Sequence, residues 1–379
     1  MLETAGYARN SDGNSGSVKG YSELTENWKN GVRQPASVAY AIAECDNVTI
    51  LTSTLVHKVI FDASNTRAIG VDTSKGTFYA SKEIVLCAGA YRSPQLLLLS
   101  GVGPASSLAA HDIPLVRDLP AVGQNLHDHF SLPLYWELKE RGSAMDAAPD
   151  AKLSAPQFYL GLPADWMAYE HETPVLSAAQ REGADDVSLR HLSHPQRCHT
   201  EIFFAYVPAG PGARKYQPDG KTMTSMILSM TPTSRGSVTL ASADPTANPA
   251  IDPNCYATEA DRVAIRTAVR KVLASTLSTP LGQSIVQAEL TEHAGDTDAA
   301  IDARVGEYGN TFYHPAGTCA MGSVVDGACR VVGSNGLRVV DASFIPLPLG
   351  AHYQATWAEK KFIEALLREK HPDHATTWI

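Results

Sequence analysis

The chain has 379 residues, 31 lysines and arginines against 40 aspartates and glutamates, and a net charge of −9. An acidic balance without a Lys/Arg-rich run excludes nucleic acid as the main partner, because that affinity is built largely on neutralising phosphates. Hydrophobic residues make up 44% of the chain, enough for packed cores and, at roughly 150 residues per domain, for two domains.

In chain order, Val48 to Val59 and Ala68 to Val71 are rich in β-branched residues and flank the turn-like Asp62-Ala63-Ser64-Asn65, so they predict hairpin strands continued by Thr77 to Tyr79. Glu83 to Ala88 is a short apolar run of the kind buried on both faces of a parallel sheet. A helix follows, with Ser93 as its cap, Pro94 in its first turn, Leu96 to Leu99 as its buried side and Gly101 as its end. From Phe130 to Pro280 strand-like stretches (Leu132 to Leu138, Glu201 to Val207, Thr224 to Met230, Gly236 to Leu240) alternate with Pro/Gly-rich loops, which predicts an antiparallel sheet. Asp146 to Arg197 is polar and His-dotted and reads as lid-like loops. Thr258 to Ser275 places Val263, Ala264, Ala268, Val269, Val272 and Leu273 at helical spacing behind a threonine cap. Leu337 to Val340 is another buried strand ending at Asp341, and a last helix is predicted from Thr356 to Arg368. The expected fold is α/β: a parallel-sheet part built from both ends of the chain, with an antiparallel domain inserted between.

The longest apolar run, Leu96 to Leu99, is far shorter than the roughly 18 residues needed to cross a bilayer, so no membrane span is expected. Met1 to Gly20 lacks a basic start, an apolar stretch and a cleavage site, so no secretory signal is read there and the compartment stays open. The cysteines (Cys45, Cys87, Cys198, Cys255, Cys319, Cys329) form no CxxC pair, and His191, His194, Cys198 and His199 fit no standard zinc spacing, so no metal is assigned.

Two constellations carry chemistry. The apolar strands ending in Ala88-Gly89-Ala90 and Asp341-Ala342-Ser343 are what a doubly wound sheet presents to a nucleotide, although the chain has no GxGxxG. His314 and His352, each in a Gly-containing stretch with a neighbouring tyrosine, suit alcohol oxidation. Hydride leaves an alcohol carbon more easily when an imidazole removes the hydroxyl proton and a second group orients the oxygen.

The stretch Gly89-Ala-Tyr-Arg-Ser-Pro-Gln-Leu-Leu-Leu-Leu-Ser-Gly-Val-Gly-Pro104 resembles the second signature of the glucose-methanol-choline (GMC) oxidoreductases, flavoenzymes that oxidise alcohols. Leu119-Pro-Ala-Val-Gly-Gln-Asn-Leu-His-Asp-His129, His314-Pro-Ala-Gly-Thr-Cys-Ala-Met-Gly322 and Gly336-Leu-Arg-Val-Val-Asp-Ala-Ser343 extend the resemblance over essentially the whole chain. It implies a partial FAD-binding Rossmann-like domain at 1–129 and 306–379 and an antiparallel-sheet substrate domain at 130–305. It implies further that His314 is the base, and that His352 binds the alkoxide oxygen beside the flavin. Tyr353 and Gln354 would lie against the isoalloxazine, Asp341 and Ala342 near the pyrophosphate and ribityl chain, and Val56 beside the adenine through its backbone. His127-Asp128-His129 would be a structural turn near the cofactor.

Family members begin with a strand and GxGxxG turn before the point resembling Leu2, so the chain is expected to lack that part. The segment Ala355 to Lys360 is also about three residues short of the family pattern, which would rotate the last helix, Trp357 to Leu367. Two readings follow. One is an FAD-dependent alcohol oxidase or dehydrogenase taking a small alcohol. The other is a non-catalytic relative, or half of a two-chain enzyme, that does not retain FAD alone, with a homo-oligomer or a complementing chain as its partner.

Overall fold

The structure is a computed structural model that describes residues 1–39, 47–146, 148, 153, 155 and 160–353. Gln354, the shortened segment after it and the predicted last helix lie outside the described residues. Two compact units are present.

The first unit, Met1–Tyr40, His129–Ser234 and Tyr256–Phe312, is built on a seven-stranded antiparallel sheet. Its order is Gly20–Glu23, Trp166–Glu170, Thr200–Ala205, Thr222–Ser229, Phe130–Leu138 and Val286–Glu289, with Asn310–Thr311 also pairing with Phe130–Leu138. Strand Thr222–Ser229 is buried along its whole length because both faces are covered. Its alternating side chains send Met223 and Ile227 into one core with Leu132, Leu134 and Trp136, and Met226 and Leu228 into another with Met167 and Tyr169. Helix Glu259–Leu273 closes the first core with Ile265, Ala268, Val269 and Val272, and the Thr258 hydroxyl accepts the Asp261 amide at its start.

The stretch read as lid-like loops instead contains strand Trp166–Glu170 and helices Thr173–Arg181 and Asp186–Ser193. Val175, Ala178, Ala179 and Leu192 pack on Ala260 and Ala264, and the Asp185 carboxylate caps the second helix on the Val187 and Ser188 amides.

The second unit, Ala41–Asp128, Arg235–Cys255 and Tyr313–Ile379, holds the parallel pair Ile84–Leu86 and Leu337–Val339. Beside it lie the meander Val56–Phe61, Ala68–Thr73, Gly76–Tyr79 and helix Gly89–Leu99. Leu86, Leu97, Leu98, Leu337 and Val339 share its core. The meander starts at Val56 rather than Val48. Its partner strand ends at Thr73, and the chain there turns directly into Gly76–Tyr79.

The unit limits differ from the expected domains in two places. Met1–Tyr40 joins the antiparallel unit because Gly20–Glu23 pairs with Trp166–Glu170. Arg235–Cys255 joins the α/β unit: the ribbon Ser237–Thr239 with Ala250–Asp252 is tied to it by Gly236–Leu126 and Val238–Gly123 backbone bonds. The stretch Gly236 to Leu240 therefore contributes to this ribbon and not to the large sheet. The fold is mixed α/β, with the parallel pair in one unit and the antiparallel sheet in the other.

Candidate active site

Both parallel strands run into turns at their carboxyl ends, where an open α/β sheet places its ligand site. The turn after Leu86 leads into the helix Gly89–Leu99, and the one after Val339 carries Asp341. The buried Asp341 carboxylate joins the two. One oxygen accepts the Gly89 amide at 2.8 Å and the Ser93 hydroxyl, and the other accepts the amide and hydroxyl of Ser343. The helix therefore starts at Gly89, and Ser93, expected as its cap, lies one turn inside it. An acid at this end also suits the helix dipole. Gly89 has φ +80°, and a side chain placed there would meet nothing within 4 Å, so the turn faces open space.

His314 is held from two directions. Its amide donates to the Asp128 carboxylate at 2.9 Å, and two residues on Ala316 exchanges backbone bonds with His127. On the other side Gly317 N–H donates to the Ala342 carbonyl, Cys319 N–H to the Ser343 carbonyl, and the Thr318 hydroxyl to the Ala90 carbonyl at 2.6 Å. The His314 segment is thus bonded both to the first turn of the Gly89 helix and to the Asp341 turn. Gly317 is required here. Its φ is +92°, and a Cβ would stand 2.3 Å from the Asn125 carbonyl oxygen and 2.5 Å from His127 Nδ1.

The half-buried rings of His314 and His352 meet edge to face, with centroids 4.9 Å apart, and Tyr353 lies 5.4 Å from His314. Burial, helped by the Asp128 carboxylate, raises the Tyr353 phenol far above its ordinary value, so it stays neutral. Of the residues singled out in the sequence, the structure brings His314, His352 and Tyr353 together and bonds Ala342, which follows Asp341 in the same turn, to the His314 segment. Val56 opens the meander, paired with Thr73, and Gln354 lies outside the described residues. Asp128 was read only as part of a turn. Its acid-on-amide contact spans 186 residues and leaves no local sequence signal.

A neutral phenol, two imidazoles and an open glycine turn suit a flat aromatic group and an alcohol beside it. A pyrophosphate does not suit the amino end of the Gly89 helix, because the Asp341 carboxylate already takes the Gly89 amide and carries the same charge sign. Among the described residues no group of three or more His, Cys, Asp or Glu side chains is arranged to hold a metal.

Family models for the amino- and carboxyl-terminal parts of the GMC oxidoreductases match residues 2–131 and 232–358, more than half of the chain. The chain belongs to the GMC oxidoreductases. It is 40% identical over 370 residues to the GMC-type oxidoreductase acuG of Aspergillus aculeatus, covering 93% of this chain and 68% of that protein. It is 34% identical over 339 residues to patulin synthase of Aspergillus clavatus, covering 82% of this chain and 53% of that protein. Its structure resembles that of Aspergillus oryzae formate oxidase, in a variant studied for the effect of a mutation on FAD modification, at a TM-score of 0.86 and 25% identity, over 98% of this chain and 69% of that one. This GMC oxidoreductase therefore spans about half to two thirds of the length of these relatives.

Proposed function

We propose that the chain oxidises a primary or secondary alcohol to the aldehyde or ketone, with FAD as its cofactor and His314 as the base. The observation that carries this is the edge-to-face contact of His314 and His352 at 4.9 Å, in a chain whose family and structural relatives are flavin-linked oxidoreductases. A bound flavin would supply the hydride acceptor for the alcohol carbon. His314 takes the hydroxyl proton as the carbonyl forms, imidazole being the side chain suited to that exchange near neutral pH. His352 holds the oxygen by hydrogen bonding and so restricts the alcohol to one orientation. Tyr353, buried and neutral, walls the site and keeps water from the imidazole pair. His314, His352 and Tyr353, with the exposed turn at Cys87 to Gly89, are the described residues that fit the redox-active end of the cofactor.

The Asp341 carboxylate at the helix start supports a second reading, in which the chain does not retain FAD by itself, because the pyrophosphate would meet that charge. Anaerobic reduction of bound flavin by alcohol tests the first reading. His314→Ala should slow it by on the order of 10² or more, with flavin still bound, because a general base contributes about 10² to 10⁴. His352→Asn, which keeps a hydrogen-bonding group, should cost less. Unchanged reduction in His314→Ala would remove His314 from the role of base.

A further inference from the structure

If His314 takes a proton during turnover, a positive charge develops on a half-buried ring, and the surroundings decide how readily it forms. We infer that Asp128 is a positioning residue for His314, with its buried carboxylate fixing the backbone of the base and supplying the anion that steadies its protonated ring. This rests on the reading of His314 as the base.

Three observations carry it. Asp128 is 5% exposed, and its Oδ1 accepts the His314 amide at 2.9 Å. A buried carboxylate accepting an N–H makes a charge-assisted bond, roughly twice as strong as a neutral one. Secondly, the two chain segments cannot slide. His127 and Ala316 exchange amides at 3.1 and 2.9 Å, Gly123 N–H donates to the Thr318 carbonyl at 2.8 Å, and Gly317 leaves no room for a side chain between them. Arg235 steadies the same segment through Asn125 Oδ1 at 2.8 Å. Thirdly, the charge of Asp128 reaches the ring cluster: with burial, it raises the phenols of both Tyr353 and Tyr91, and the Tyr353 ring is 5.4 Å from that of His314.

Among the described residues, His127 and His129 flank Asp128 in the chain, and the His127 ring lies against Gly317. His352 and Tyr353 face His314 as rings. Arg235, a cation, acts on Tyr353 in the opposite sense to Asp128, and Cys255 shares the surroundings of Tyr91. Among the described residues Asp128 is a carboxylate bonded to the His314 backbone, and a negative charge at that position favours a protonated imidazole.

The test is an NMR titration of the histidine rings in the full chain, with the His314 signal assigned by its loss in His314→Gln. Asp128→Asn keeps size and an acceptor oxygen but removes the charge. The His314 midpoint should then fall by on the order of one pH unit, and Asp128→Glu should return it toward the wild-type value. Equal midpoints in folded wild type and Asp128→Asn would overturn the inference. Should Asp128→Asn fail to fold, amide hydrogen exchange on the wild type decides. A His314 amide protected like those of the core strands supports the anchor, and one exchanging as fast as an exposed loop amide refutes it. Neither measurement needs turnover, so a wild type that fails to reduce flavin with alcohol would refute the role of base without moving these results.

Discussion

Acidification should destabilise the antiparallel unit through one residue, His199. Its imidazole is fully buried, with Nδ1 accepting the Glu172 amide at 2.9 Å and Nε2–H donating to the Leu192 carbonyl at 3.0 Å. Both ring nitrogens are engaged in the neutral form, and a second proton must enter at Nδ1 and break the Glu172 bond. Burial is the main cause that lowers its pKa from 6.5 to about 4, and the neighbouring His171 ring at 4.6 Å acts in the same sense. Between those values the unfolded chain binds a proton that the native chain does not. The contribution is therefore complete above pH 6.5 and is lost progressively as the pH falls toward 4. At about 1.4 kcal/mol per pH unit, the loss comes to roughly 3 kcal/mol. Urea unfolding at a series of pH values, followed on wild type and His199→Gln, checks this. Glutamine can donate to Leu192 and accept from Glu172 but does not titrate, so its stability should fall less between pH 6.5 and 4 by about that amount. Parallel pH profiles for the two proteins would refute the reasoning.

Three further outcomes follow from the packing. Arg304 is fully buried, binding both oxygens of Glu289 at 2.8 and 3.0 Å and the Gly295 carbonyl. Arg304→Met strands the Glu289 carboxylate and should cost about 3 to 5 kcal/mol in thermal unfolding. Adding Glu289→Gln should recover part of that loss, since the stranded charge is then gone. Gly317 and Gly322 both have φ +92°, but a Cβ at Gly322 meets nothing within 4 Å. Gly322→Ala should therefore cost only about 1 kcal/mol of backbone strain and Gly317→Ala several times more, read as Tm differences.

Features set by neighbours in sequence are legible in the sequence itself. The helix at Glu259–Leu273 was marked by its Thr258 cap and its apolar period, both of which act within a turn or two. The parallel strands were legible as short apolar runs, because a strand buried on both faces has no polar alternation. The start of the Gly89 helix was not legible. Ser93 and Pro94 form a good local start signal, yet Asp341, 252 residues away, caps the helix four residues earlier. The helices within 173–193 were hidden by their polar outer faces, since only Val175, Ala178, Ala179 and Leu192 are buried. At the site, the motifs placed His314 and His352 side by side through family resemblance. The anchor on Asp128 is a contact between distant segments, and local pattern carries no trace of such a contact.

The proposed chemistry is tested most directly by the visible spectrum of this chain after incubation with FAD and removal of the free cofactor, read before and after adding an alcohol under nitrogen. The account predicts a protein-bound flavin band that bleaches with a primary or secondary alcohol. A colourless protein, or a bound flavin that stays oxidised across a panel of such alcohols, would contradict it.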